Sequence, residues 1–205
     1  MRQVLEYRDE IKIWTQLKAG NKDSFNNVFR KYYSELYHYG LKISSNPEQV
    51  KECIQEIFVR IWETREKLGD VKNIKSYLII SLRRMIISKK ATNNRIEIEN
   101  LENHAFRFDV NEFEKHVEIS VEVRKVLLSA INSLTKKQRE LIMLMFFHEL
   151  TYVEISEVLE ISIQAARNLT YRSLLNLREA LGEASINAIR NQVYLLFSSI
   201  SKKKL

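Results

Sequence analysis

Between Asp23 and Ile43 the chain places Phe25, Val28, Phe29, Tyr32, Leu36 and Tyr39 at intervals of three and four, the spacing of one face of an α-helix. Little interrupts that pattern, because 205 residues contain only 4 glycines and 1 proline. Sheet-rich folds need many more turn residues, so the fold class is all-α. Ahead of this stretch, Ile13, Trp14 and Leu17 predict a short helix over Asp9–Ala19 that stops at Gly20. After it, Asn46 as N-cap, Pro47 at the first helical position and Gln49 in the capping-box position mark a start. The helix that follows has Val50, Ile54, Ile57, Phe58 and Ile61 on its buried stripe and ends at Gly69–Asp70. A further helix from Ile74 puts Tyr77, Leu78, Ser81, Leu82 and Met85 on its inner side with Ile74.

Periodicity weakens from Thr92 to about His116, which reads as a polar linker whose aromatic residues dock somewhere. Helical spacing resumes over Val121–Ser133. Thr135 with Gln138, and Thr151 with Glu154, form two capping boxes. They place helices at Lys136–His148 and Tyr152–Leu159, with another beginning after Ser162. The expected organisation is two small helical domains, 9–91 and 119–182, a linker 92–118, and a C-terminal extension 183–205. That extension carries Ile186, Ile189, Val193, Leu196, Phe197 and Ile200 at roughly helical spacing and ends near three lysines. Packing on the second domain is favoured over binding a regulator or touching a membrane.

The formal charge of +7 points to a polyanionic partner, nucleic acid or membrane surface. The single Cys53, set among Ile54, Ile57 and Phe58, excludes an internal disulfide and reads as a buried thiol. His38, His104, His116 and His148 have no metal-ligand spacing with each other or with Cys53. No Gly-rich phosphate loop and no nucleophile motif is present. The expectation is therefore no catalytic residue, no metal, no cofactor and no enzyme activity. No apolar run reaches the length of a membrane span, and the polar N-terminus does not read as a signal peptide, which suggests a cytoplasmic protein.

The stretch "YVEISEVLEISIQAARNLTYRSLLNLR" turns from an acidic amphipathic helix to a basic one. Ile155, Val158 and Leu159 form the first buried stripe, Ile161 fills the turn, and Ala166, Leu169 and Ser173 supply the second inner face. Small residues at Ala165 and Ala166 let the helices cross closely. Ser162 caps the second helix, whose free N–H groups suit a phosphate. Gln164, Arg167, Asn168, Tyr171 and Arg172 then face outward, able to reach base edges and phosphates in a major groove. Glu160 occupies the turn position that commonly holds glycine. The competing reading is a plain αα-hairpin with a solvated basic face. In the first domain, Glu48, Glu52, Glu56, Glu63 and Glu66 make one helix acidic outside, while Arg83, Arg84, Lys89, Lys90 and Arg95 make the next basic. Their juxtaposition suggests one surface for a protein and another for nucleic acid.

At these residues a resemblance appears. "SFNNVFRKYYSELYHYGLKI", "NPEQVKECIQEIFVRIWETREKL" and "IKSYLIISLRRMIISKKA" resemble region 2 of bacterial sigma-70 family factors of the extracytoplasmic-function group. "AINSLTKKQRELIMLMFFHELTYVEISEVLEISIQAARNLTYRSLLNLREAL" resembles their region 4. The resemblance runs from about Ile11 to Leu181. It implies an RNA polymerase sigma factor that directs the core enzyme to promoters and assists melting. Gln55, Glu56, Arg60 and Trp62 would dock on the clamp helices of the largest catalytic subunit, Trp62 being open to a core role as well. Region 4 would meet the flap of the second subunit. The loop Lys67–Asn73 would capture a flipped base of the minus-ten element, with Asp70, Lys72 and Asn73 as hydrogen-bonding candidates. Arg83, Arg84, Lys89 and Lys90 would grip the backbone of the melting strand. Arg167, Asn168, Tyr171 and Arg172 would read the minus-thirty-five element, with Gln164 and Ser162 positioning phosphates. An inhibitory anti-sigma protein is a further partner the family commonly has. The chain departs from the family where Arg84 and Ser88 replace an Asn and an Asp, and where Ala165–Ala166 replace Thr–Val. The alternatives are a helix–turn–helix regulator with an unrelated helical domain, which leaves "IQEIFVRIW" without a role, and a helical adaptor held at a membrane by its lysine-tipped tail.

Overall fold

The structure, a computed structural model, describes residues 2–93, 106–108 and 121–181. Among them the fold is all-α, with no strand. The chain divides into two compact units, Met1–Ala105 and Phe106–Leu205. Most of the expected linker, and the whole C-terminal extension, lie outside the described residues.

The first unit contains α1 (Arg2–Lys18), α2 (Lys22–Ile43), α3 (Pro47–Thr64), a 3₁₀ turn (Arg65–Lys67) and α4 (Ile74–Asn93). Asparagines start three of the helices. Asn21 accepts from the Ser24 N–H at 2.8 Å, Asn46 from Glu48 and Gln49 at 3.1 Å each, and Asn73 from Ser76 at 3.1 Å. Each satisfies a backbone donor that the helix itself leaves open. The core joins Trp14 and Leu17 of α1, Val28, Tyr32, Leu36 and Tyr39 of α2, Val50, Ile54, Ile57, Phe58 and Ile61 of α3, and Ile74, Leu78 and Leu82 of α4. Cys53 is buried as expected. Glu10 fastens α1 to α2, accepting from the Tyr32 hydroxyl at 2.5 Å and from the Lys31 ammonium at 3.0 Å. Burial and the Glu10 carboxylate push the Tyr32 phenol well above its usual range.

Three sequence expectations need correction here. Helix α1 begins at Arg2, ahead of Asp9. On α4, Ile79 and Ile86 are buried where Ser81 and Met85 were expected, and those two are half-buried with Tyr77. The run "YLIISL" is nearly continuous in apolar character, so its period does not fix the rotation of the helix. Aliphatic side chains take the core, and the hydroxyls of Tyr77 and Ser81 stay toward the surface. Lys90, expected on the basic face, is only 8% exposed. Its ammonium donates to the Ile43 carbonyl at 3.0 Å, satisfying the last turn of α2 where a cation is favoured.

The second unit contains α5 (Val121–Ser133), α6 (Lys136–Ile142) running into π-helical Met143–Phe147, α7 (Tyr152–Leu159) and α8, residues 163–181. The expected single helix to His148 thus widens in its last turn, where the His148 N–H reaches the Met143 carbonyl at 3.1 Å. Leu127, Ile131, Leu134, Leu141, Leu144, Leu150, Ile155, Val158 and Ala166 form the core. Residues 106–108, from within the expected linker, are packed into this unit. Phe106 is fully buried and Phe108 nearly so, and the Phe108 ring lies 5.2 Å from that of Phe147. Asn132 pairs with the Phe108 backbone, accepting from its N–H at 2.9 Å and donating to its carbonyl at 3.1 Å. The buried Arg139 guanidinium donates to the carbonyls of Phe106 at 2.5 Å, Asn132 at 2.8 Å, and Leu134. Burial, and secondarily Arg107, disfavours its charge, which the three carbonyls offset.

Two of these contacts can be tested through stability. A Cβ at Gly40 would lie 2.5 Å from Val50 Cγ1, and a β-branched side chain has little rotamer freedom to retreat. Gly40→Ala should lower unfolding free energy by about 1–3 kcal/mol, with part of the loss recovered in Gly40→Ala/Val50→Ala, both read by urea denaturation. Arg139→Met leaves three buried carbonyls without their donor and should cost about 3 kcal/mol. Hydrogen exchange at the Phe108 amide should accelerate in that variant.

Candidate functional site

The turn between α7 and α8 is set by caps at both ends. Thr151 and Glu154 form the expected capping box, with the Thr151 N–H on Glu154 Oε2 at 2.7 Å and the Glu154 N–H on Thr151 Oγ1 at 3.3 Å. Helix α7 ends at Glu160, in the left-handed region with φ 55° and ψ 47°, a conformation that strains a residue with a Cβ. Ser162 then caps α8 by accepting from the Ala165 N–H at 3.1 Å. Ala166, Thr170, Ser173 and Leu177 face inward on α8, and Leu169, expected there, is half-buried. Thr170 and Ser173 tolerate burial because their hydroxyls return to the Ala166 and Leu169 carbonyls at 2.9 and 2.7 Å.

That rotation leaves Gln164, Arg167, Asn168, Tyr171 and Arg172 exposed together on the outer surface of α8. Gln164 Nε2 donates to Asn168 Oδ1 at 3.1 Å, which aligns two amides along the helix. The Arg167 guanidinium lies 5.7 Å from the centroid of the Tyr152 ring, within cation–π range. Tyr152 is a residue that sequence reasoning missed; its signal was an aromatic at the first position of α7. Ile163, Leu174 and Leu175 are also exposed on α8, an apolar component the sequence reading did not separate from the core.

In the first unit, the expected protein-docking residues fall on two flanks of α3. Gln55 and Trp62 line an open cleft of about 570 Å³ with Phe25, Phe29, Phe58 and Val59. The Trp62 ring meets Phe25 edge-on at 5.1 Å and carries the Arg65 guanidinium at 4.8 Å. Trp62 is half-buried, so it belongs both to the packing and to the surface. Glu56 and Arg60 lie on the other flank, in a second cleft of about 430 Å³ with Tyr77, Ser81, Arg84, Ser88 and Lys89. There Glu56 accepts from Lys89 at 2.8 Å and from Arg60 at 3.4 Å. The hydrogen bond to Lys89 holds the Glu56 carboxyl below the usual range and raises the Lys89 ammonium. An ion pair between Glu56 and Lys89 thus bridges the acidic helix and the basic one.

The loop between the 3₁₀ turn and α4 is held from α1. The Trp14 indole N–H donates to the Gly69 carbonyl at 3.0 Å, and Lys18 Nζ meets Asp70 Oδ1 at 2.7 Å. That bond keeps the Asp70 carboxyl below its usual range. Of the expected base-contacting residues, Asp70 is exposed but ion-paired, Lys72 is exposed, and Asn73 is half-buried with its oxygen committed to the α4 cap. Trp14 and Lys18 were missed because their partners lie more than fifty residues away, beyond any local pattern. Among the described residues, no group of His, Cys, Asp and Glu is arranged to hold a metal, and no helix is long and apolar enough to cross a membrane.

Comparison with known proteins finds a family match in each unit. Residues 28–96 match the family described as sigma-70 region 2, and residues 124–177 that described as sigma-70, region 4. The chain is similar to the ECF RNA polymerase sigma factor SigW of Bacillus subtilis (strain 168), 21% identical over 174 residues, covering 81% of this chain and 93% of the relative. It is also similar to the RNA polymerase sigma factor YlaC of the same organism, 20% identical over 160 residues, covering 78% and 92%. Two solved structures share its fold. One is the sigma factor RpoE in complex with the anti-sigma factor NepR from Bartonella quintana, with TM-score 0.53, 20% identity, and 78% of this chain and 98% of that one covered. The other is CnrH in complex with the cytosolic domain of CnrY, with TM-score 0.52, 16% identity, and 80% and 92% covered.

The strained turn supplies a test of the geometry. Glu160→Gly should raise unfolding free energy by about 1 kcal/mol, since glycine takes the left-handed conformation without penalty. A thermal melt reads the gain, and an unchanged or lower melting temperature would contradict the assignment of that turn.

Proposed function

We propose the following division of labour for this chain, which belongs to the extracytoplasmic-function group of the sigma-70 family and is an RNA polymerase sigma factor directing the core enzyme to promoters. Helix α8 reads the minus-thirty-five element, and the observation that carries this is its outer surface. Gln164, Arg167, Asn168, Tyr171 and Arg172 are exposed together, offering amides for adenine, guanidinium groups for guanine or phosphate, and a ring for a thymine methyl. Ser162 and the N-terminal turn of α8 position a phosphate.

In the first unit, Gln55 and Trp62 with the aromatic cleft of α2 and α3 form the seat for the clamp helices of the largest polymerase subunit, and Glu56 and Arg60 extend that contact. Its support is an open, mostly apolar cleft edged by Gln55, Lys22 and Glu63, the anatomy of a docking surface. The flap of the second subunit is the partner of the second unit. The loop Lys67–Asn73 receives an unpaired base of the minus-ten element. Asp70 and Lys72 border it, and Asn73 serves by fixing the start of α4. Arg83, Arg84 and Lys89 hold the strand backbone, whereas Lys90 holds α2. The chain contributes binding energy, bond chemistry belongs to the polymerase, and the site of action is the cytoplasm. An anti-sigma protein as a partner is supported by the similar fold of RpoE, solved in complex with the anti-sigma factor NepR.

Reconstitution with core polymerase tests the reading. The wild type should bind core and start transcription at discrete sites on genomic fragments, and Gln55→Ala/Trp62→Ala should lose core binding while circular dichroism shows its helices still formed. Tight specific duplex binding without any affinity for core would reject it. Asn168→Ala should relax specificity at one base pair of the upstream element by about 1–3 kcal/mol. Trp14→Phe, which keeps a ring in the core but removes the donor to Gly69, should slow promoter opening several-fold and leave core affinity unchanged. Equal opening rates would show that the loop needs no brace.

A further inference from the structure

One carboxylate joins the two surfaces assigned to different partners. Glu56, on α3, holds Lys89 of α4 at 2.8 Å through Oε2 and Arg60 at 3.4 Å through Oε1. All three side chains are partly open to solvent, at 42%, 34% and 68% exposure. They line the cleft between α3 and α4 together with Arg84 and Tyr77. Three cations and one anion thus share a groove that also offers an aromatic ring and the hydroxyls of Ser81 and Ser88. While Glu56 stays in place, a phosphate approaching Lys89 meets a carboxylate already occupying the ammonium and repelling the newcomer.

We propose that Glu56 is an electrostatic gate, withholding Lys89 from the DNA backbone until a basic side chain of the polymerase takes over its carboxylate. Docking and strand binding are then coupled through a single group. A partner cation on Glu56 frees Lys89 for phosphate, and a phosphate on Lys89 frees Glu56 for the polymerase, by the reciprocity that any such coupling obeys. The pair is exposed and screened by solvent, so the coupling is modest, about two- to fivefold in affinity. This inference rests on reading α3 as the polymerase-docking helix and α4 as the strand-binding one.

The test uses the full chain and a labelled single-stranded oligonucleotide of mixed sequence, titrated by fluorescence anisotropy over a range of salt. Wild type, Glu56→Gln, Lys89→Gln and the double variant are compared, with thermal melts to establish that all four are folded. Glu56→Gln should bind the strand about two- to fivefold more tightly than wild type, with a salt slope steeper by about 0.7 because one more phosphate is neutralised. Lys89→Gln/Glu56→Gln should lose most of that advantage. Loosened packing alone would not move the salt slope. An unchanged affinity in Glu56→Gln, or a tightening that persists in full in the double variant, overturns the gate. Wild-type affinity for core is measured alongside. If core binds and Glu56→Gln binds DNA no more tightly, the gate alone fails; if core does not bind, the assignment of α3 fails and takes the gate with it.

Discussion

The close crossing of α2 and α3 at Gly40 governs how the first unit presents its surfaces. With no Cβ on Gly40, Val50 settles against the α2 backbone, and α3 lies close to its neighbour. That proximity sets Phe25 and Phe29 of α2 edge-on to Phe58 of α3, at 5.9 and 4.9 Å. The aromatic pairing fills the floor between the helices and leaves Gln55, Val59 and Trp62 along an open rim. On the other flank, α4 packs into the angle left by α2 and α3, and Lys90 closes the end of α2 through the Ile43 carbonyl. Helix α3 is therefore buried along one stripe and accessible on both sides. A single helix is thereby open on two flanks, the two surfaces to which different partners are proposed above, and Glu56 stands on the flank that faces α4.

Local chemistry made much of this legible from sequence. Asn46–Pro47, Thr135 with Gln138, and Thr151 with Glu154 act within a few residues of themselves, so the sequence contains both halves of each interaction, and the caps formed where expected. The outer face of α8 was likewise readable, because its period is interrupted by few ambiguous residues. What sequence left hidden depends on partners far along the chain. Lys90 looks like its half-buried neighbour Lys89, yet one caps a helix and the other bridges two. Trp14 reads as an ordinary core residue, and only the fold brings the Gly69 carbonyl to its indole. The inner face of α4 was misread by about one position because its apolar run is too continuous for periodicity to fix a rotation. Residues 106–108 read as linker, since a three-residue Phe-Arg-Phe segment has no period at all and takes its place from Asn132 and Arg139.

Those two residues show how an irregular segment is made to behave like a secondary element. An irregular backbone buried beside a helix exposes an N–H and a carbonyl that must be satisfied. Asn132 offers one donor and one acceptor to the Phe108 backbone, and Arg139 supplies a fork of donors. The segment is thus paired by side chains in place of a sheet, and Phe106 and Phe108 contribute two large rings to a unit with a small core.

The same division of roles recurs wherever the chain is expected to meet nucleic acid. Polar residues closest to each surface are committed to the scaffold, while their neighbours are presented outward. Asn73 caps α4, Trp14 and Lys18 hold the loop before it, and Lys72 projects beside them. Ser162 caps α8, Thr170 and Ser173 close on their own helix, and Gln164, Arg167 and Asn168 stand free of the core. A side chain that must discriminate bases benefits from a backbone already fixed, because the entropy of ordering is met during folding and does not weaken binding. Reading every polar residue near such a surface as a contact overcounts the recognition set. The residues bonded to backbone set the frame, and those bonded to nothing but each other or to an adjacent ring are the ones left able to meet a base.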